Sequence, residues 1–156
     1  MGSWSATIMG SDDAQDAKID LLNILGVNDN MQRDAIVKAL DNMKPHQWRA
    51  YLDNHYGLSD YLVVKKMAAA AVLMEYGAHL PAQVAEAAIE AARTSETASW
   101  RDPNERKHYL DQLVDVILDY DRTPTKLPEE SLGDGFSKKY MKPKKPYQAD
   151  TNLNQS

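Results

Sequence analysis

The side chains best placed for chemistry are aspartates. Asp111, Asp115 and Asp119 recur every fourth residue, with His108 one turn upstream, and Asp12, Asp16 and Asp20 repeat the pattern near the N-terminus. On helices, each row would line one face. Two such rows facing each other could hold a divalent cation through oxygen ligands, as helical-bundle phosphohydrolases do. Asp12, Asp16, Asp111 and Asp115 would be the ligands of that reading, with Asp111 and Asp115 the weak metal candidates. The plainer expectation is a solvated polar face, because the same residues alternate with an apolar stripe at helical period. No other catalytic pattern stands beside them. The histidines His46, His55, His79 and His108 include no HxxxH pair, and the chain has no GxSxG, no glycine-rich phosphate loop and no P-loop lysine. No resident metal or cofactor is expected.

A second constellation is electrostatic. Up to Gly133 the chain has 13 basic and 21 acidic residues, and from Asp134 onward 5 basic and 2 acidic, so an acidic body carries a basic tail. Within the tail, Lys138, Lys139, Lys142, Lys144 and Lys145 interleave with Tyr140 and Tyr147. Lysines could follow a phosphate backbone while the rings stack on bases. The same segment could equally dock on an acidic protein, fold back on its own acidic body, or simply keep the chain soluble.

The elements that must position these groups are helices. Ser11 reads as an N-cap, with Asp12 and Asp13 in a first turn whose dipole favours carboxylates; Ala14, Ala17, Leu21, Ile24 and Leu25 form the inner face, and Gly26 ends the helix. A second helix is predicted over about residues 30–43, with Met31, Ala35, Ile36, Ala39, Leu40 and Met43 inward. A third starts at Pro45 and carries Trp48, Tyr51, Leu52 and Tyr56. Ser59 and Asp60 cap a central helix over residues 61–76, whose run Ala68, Ala69, Ala70 and Ala71 lets neighbours approach closely. Leu80 and Pro81 open a fifth helix with Val84, Ala85, Ala88, Ile89 and Ala92 inward. Asp102 and Pro103 start the last, with Tyr109, Leu110, Leu113, Val114, Ile117 and Leu118 inward. Before all of these, residues 1–10 read as an extended arm whose Trp4, Ile8 and Met9 need a home on the core. From Arg122 the period is lost among prolines, glycines and lysines, so residues 122–156 read as an extended tail, ordered only where something binds it. The expected architecture is all-α: one compact bundle of five to six helices over residues 1–121, with the arm before it and the irregular tail after it.

At 156 residues the chain can build one core without staples, and its zero cysteines exclude a disulfide framework and any thiolate chemistry. The opening MGSWSATIMGSDD lacks the basic and apolar stretches of a secretory signal, and the apolar run of residues 61–74 is too short to span a bilayer and is interrupted by Lys65 and Lys66. A cytoplasmic protein without a membrane partner is expected.

The opening M-G-S-W-S-A-T-I-M-G-S-D-D-A-Q-D, with Met1, Gly2, Trp4, Asp12, Ala14 and Asp16 at matching places, resembles the start of the uncharacterised domain of unknown function 4259 family. L-P-A-Q-V at Leu80 to Val84 and S-E-T-A-S-W at Ser95 to Trp100, followed by a closing helix, are similar to later motifs of that family. Ser5, Met9 and Ser11 depart from its pattern, and residues 30–56 have no counterpart in it, which suggests a divergent member of phage or other mobile-element origin. The resemblance implies a helical fold and no reaction. It also draws weight to Gly2, Trp4, Asp12 and Asp16, either as a clasp that pins the arm to the first helix or as a binding edge.

The expectation is therefore a non-enzymatic interaction module, an inhibitor, immunity or regulatory protein whose partner is another protein. Its contact surfaces would be Trp4 with Asp12, Asp13, Asp16 and Asp20, and the tail from Lys138 to Tyr147. A metal-dependent phosphohydrolase and a nucleic-acid-binding accessory protein acting through the tail are the alternatives. Exposed helix faces also pair with themselves, which leaves a homodimer open.

Overall fold

A computed structural model of the protein describes residues 7–28, 30–53, 59–95, 97 and 102–128. They contain six α-helices, α1 (Asp12–Leu25), α2 (Arg33–Asp41), α3 (Pro45–Asp53), α4 (Ser59–Tyr76), α5 (Ala82–Thr94) and α6 (Pro103–Asp119), and no strand. The fold is an all-α bundle. Its centre is α4, which packs against α1, α2, α3 and α5, while α6 lies on α5. A helix in that position must be apolar on every side. The stretch from Met67 to Met74 is accordingly buried throughout, and its four alanines let the flanking helices come close.

The punctuation follows local chemistry. The Ser11 hydroxyl accepts from the amide of Ala14 at 3.1 Å, and Gly26 closes α1 in the left-handed conformation at φ 73°. Asp102 caps α6 by accepting from the Glu105 amide, with Pro103 in the first turn. α4 already includes Ser59 and ends at Gly77, φ 75°.

Three expectations about faces and ends are corrected. α2 starts at Arg33 rather than near residue 30, and Met31 and Ala35 are exposed. The side-chain oxygen of Asn28 accepts from the Asn30 amide at 2.8 Å and its carbonyl from Met31, so a turn takes up the residues that would have begun the helix. On α1 the inward stripe is Ala14, Ala17, Lys18, Leu21 and Leu22, which leaves Ile24 59% exposed. On α6 it includes Glu105, Arg106, Gln112 and Val116, with Val114 half-buried and Leu118 65% exposed.

The segments flanking the helices are part of the packing. Ile8 and Met9 are buried, as expected of the arm, and Thr7 is buried beside them. The boundary drawn after residue 121 falls inside a contact region, because Thr125 donates its amide to the Met74 carbonyl at 2.7 Å and Leu127 is buried. The body itself holds residues 122–128.

Candidate functional site

Three polar constructions tie the bundle together, and they determine which charges remain on the surface. The first is a seam between α1 and α4. Lys18, the one basic residue of α1, turns inward to Glu75 at 3.3 Å and lies 5.7 Å from the centroid of the Tyr76 ring. Beside it the Tyr51 hydroxyl of α3 donates to the Ala17 carbonyl at 2.8 Å, and the Lys65 ammonium sits 4.3 Å from the Tyr51 ring centroid. Tyr61 closes the seam by donating its hydroxyl to Asp20 at 3.0 Å. Burial pushes the Tyr51 hydroxyl well above its ordinary range, with Tyr61 and Asp20 adding to the shift. Tyr61 moves the same way through burial, then through the hydrogen bond to Asp20 and the charges of Asp20, Asp16 and Asp13. Lys65 is lowered by desolvation, which Asp20 opposes.

The second construction pins the N-terminal segment. Arg106, buried and pushed down to about 10 by desolvation, donates to the Thr7 carbonyl at 3.0 Å, and Gln15 reaches the Met9 carbonyl at 2.7 Å. The third gathers the ends of α2, α4 and α6. Arg122 donates to Asp41 at 2.8 Å and to the Gly77 carbonyl at 3.1 Å; Asp41 also accepts from the His79 amide, and the Tyr120 hydroxyl donates to the Ala78 carbonyl at 2.6 Å. Burial raises Tyr120.

With Lys18 drawn inside, the outward face of α1 keeps its carboxylates without a cation of its own helix. Asp12, Asp13 and Asp16 are exposed and Asp20 is half-buried. Positions 12, 16 and 20 form a row at four-residue spacing that runs on into the exposed Ile24, and Ile19, 53% exposed, stands beside it. The helix dipole accounts for acids in the first turn, where Asp12 and Asp13 lie. It does not account for Asp16 or Asp20. α6 has a comparable row, Asp111 and Asp115 with Leu118 at the next outward position, but there Lys107 pairs with Asp111 at 3.4 Å.

The structure does not bring the two aspartate rows into a metal centre. Among the described residues no group of three or more histidine, aspartate or glutamate side chains could hold a metal ion. Asp111 and Asp115 face solvent, and the His108 ring lies edge-on to Tyr109 with centroids 5.1 Å apart. No helix of the described residues is long and apolar enough to cross a membrane. Trp4 and the tail residues Lys138, Lys139, Tyr140, Lys142, Lys144, Lys145 and Tyr147 lie outside the described residues.

Sequence reasoning missed the participation of Lys18, Tyr61 and Lys65, and the exposure of Ile19. A signal for Lys18 was present: it stands four residues after Ala14 and three before Leu21, on the buried stripe. No comparable local signal places Lys65 under a tyrosine of another helix. No family model, curated protein or solved structure matches the chain.

Proposed function

We propose that this protein is a non-enzymatic interaction module that captures another protein through the outward face of α1, as an inhibitor, immunity or regulatory subunit does. The observation that carries the reading is the exposure of Ile19 and Ile24, 53% and 59%, on the face that bears Asp12, Asp13, Asp16 and Asp20. Large apolar groups next to charges that no cation of the same helix offsets are what a docking surface needs: the isoleucines supply burial, and the carboxylates supply orientation and encounter rate. A fitting partner presents a cationic rim around an apolar centre.

The test is a pull-down from host lysate with the immobilised full chain, beside the double variant Ile19→Lys, Ile24→Lys, followed by mass spectrometry. Both positions are exposed, so each substitution should change stability by only about 0.5 kcal/mol. The expected result is one stoichiometric protein retained by the native chain and lost with the variant at unchanged helicity. A partner held equally by both chains would move the docking face away from α1.

A further inference from the structure

The outward face of α1 is acidic and carries two exposed isoleucines, so charge and apolar area together decide what could cover it. Its four carboxylates lie at positions 12, 13, 16 and 20, with the sole lysine of the helix turned inward to Glu75. A second copy of the chain placed face to face across a two-fold axis would set these rows against each other, like charge on like charge. A nucleic acid or an anionic lipid surface meets the same repulsion. The chain itself, however, carries five lysines between Lys138 and Lys145, together with Tyr140, Met141 and Tyr147 as apolar groups suited to Ile19 and Ile24.

Length and tethering agree with charge. Residues 122–128 are held on the body by Thr125 and the buried Leu127, so the tail leaves from a fixed point. From there, ten residues to Lys138 extend up to about 33 Å and nineteen to Tyr147 up to about 65 Å. Half the circumference of a domain of this size is about 55 Å, from a diameter of about 35 Å. Pro143 and Pro146 favour an extended course at about 3.1 Å per residue, so the eight residues from Lys138 to Lys145 span about 25 Å. The 14 residues of α1 span about 21 Å.

We propose that the segment from Lys138 to Tyr147 lies along the outward face of α1 in the free protein, as an intramolecular latch that an external partner must displace. The inference rests on the reading of that face as the docking surface. A short flexible tether gives the tail an effective concentration in the millimolar range, so even weak ion pairing keeps the face occupied.

The absence of cysteine allows a direct test on the full chain. A paramagnetic label on the single-cysteine variant Ala149→Cys should strip intensity from amide signals of α1 in the 15N-labelled protein. The effect is expected at about 0.01 M salt, where the Debye length is about 30 Å, with recovery at about 1 M, where it is about 3 Å. Replacing the five lysines by glutamine in the same labelled chain should restore the α1 signals at low salt without moving those of the core helices. Uniform broadening, or broadening centred on another helix, overturns the latch. So does broadening of the cysteine-free 15N chain when spin-labelled 14N chain is added to it, because the contact is then between copies. A partner that is still captured through Ile19 and Ile24 when the label shows no contact would leave the docking reading standing and remove only the latch.

Discussion

Among the described residues, Gly26 and Gly77 each end a helix, under different constraints. Gly26 and Gly77 both have φ near +75°, a conformation costly for residues with a Cβ. At Gly26 an added Cβ meets nothing within 4 Å, whereas at Gly77 it would lie 2.9 Å from the Arg122 carbonyl oxygen and 3.0 Å from Pro124. Both obstacles are backbone or ring atoms that cannot swing aside, and both belong to the segment that Arg122 and Thr125 hold in place. Gly26→Ala should therefore cost about 1 kcal/mol, and Gly77→Ala about 2 to 4 kcal/mol as strain and overlap add. Equilibrium denaturation of the two variants checks the order; equal losses would mean that residues 122–124 yield to the methyl group. The sequence was legible here only in part. That Gly77 ends a helix can be read from its place after an apolar run, but its close approach to a segment 45 residues later cannot, because no local pattern encodes which loop arrives at a helix end.

At the level of the element, helix existence was readable, and so was the punctuation except at the start of α2, whereas the inward face was readable only in part. Ser11, Gly26, Pro45, Gly77, Pro81 and Asp102 with Pro103 each stand where a helix begins or ends, because caps and breakers act through neighbouring backbone groups. Rotation about the axis is set by the partner helix instead. α1 packs on α4 with Ala14, Ala17, Lys18, Leu21 and Leu22 turned in and Ile24 turned out. The paired variants Leu22→Lys and Ile24→Lys separate the two orientations. Leu22→Lys should lower stability by about 3 kcal/mol or more, since it removes a buried leucine and puts a charge in its place, while Ile24→Lys should stay within about 0.5 kcal/mol. Thermal melts followed by circular dichroism measure both. The same rotation explains the candidate site: the aspartate row could be read from spacing alone, but its continuation into an exposed isoleucine depends on how α1 is turned.

At the scale of the whole molecule the question is where the cooperative unit ends. Composition and period both change at Arg122, and sequence places the start of the tail there. The contacts extend further. Thr125 donates its amide to Met74 at 2.7 Å, Leu127 is 4% exposed, and Arg122 bridges α2 and the turn after α4. Thr123, two residues earlier, instead donates its amide to the exposed Asp121 carboxylate at 3.0 Å, a bond that water can replace at little cost. Hydrogen exchange distinguishes these two amides within one strap of chain. If the bundle and residues 124–128 open together, the Thr125 amide should exchange only through global unfolding, with the same opening free energy as the central amides of α4, while the Thr123 amide exchanges orders of magnitude faster through local fluctuation. Equal and fast exchange at both positions would place the boundary of the cooperative unit back at the end of α6, and would leave the proposed latch tethered near residue 120 instead of residue 128.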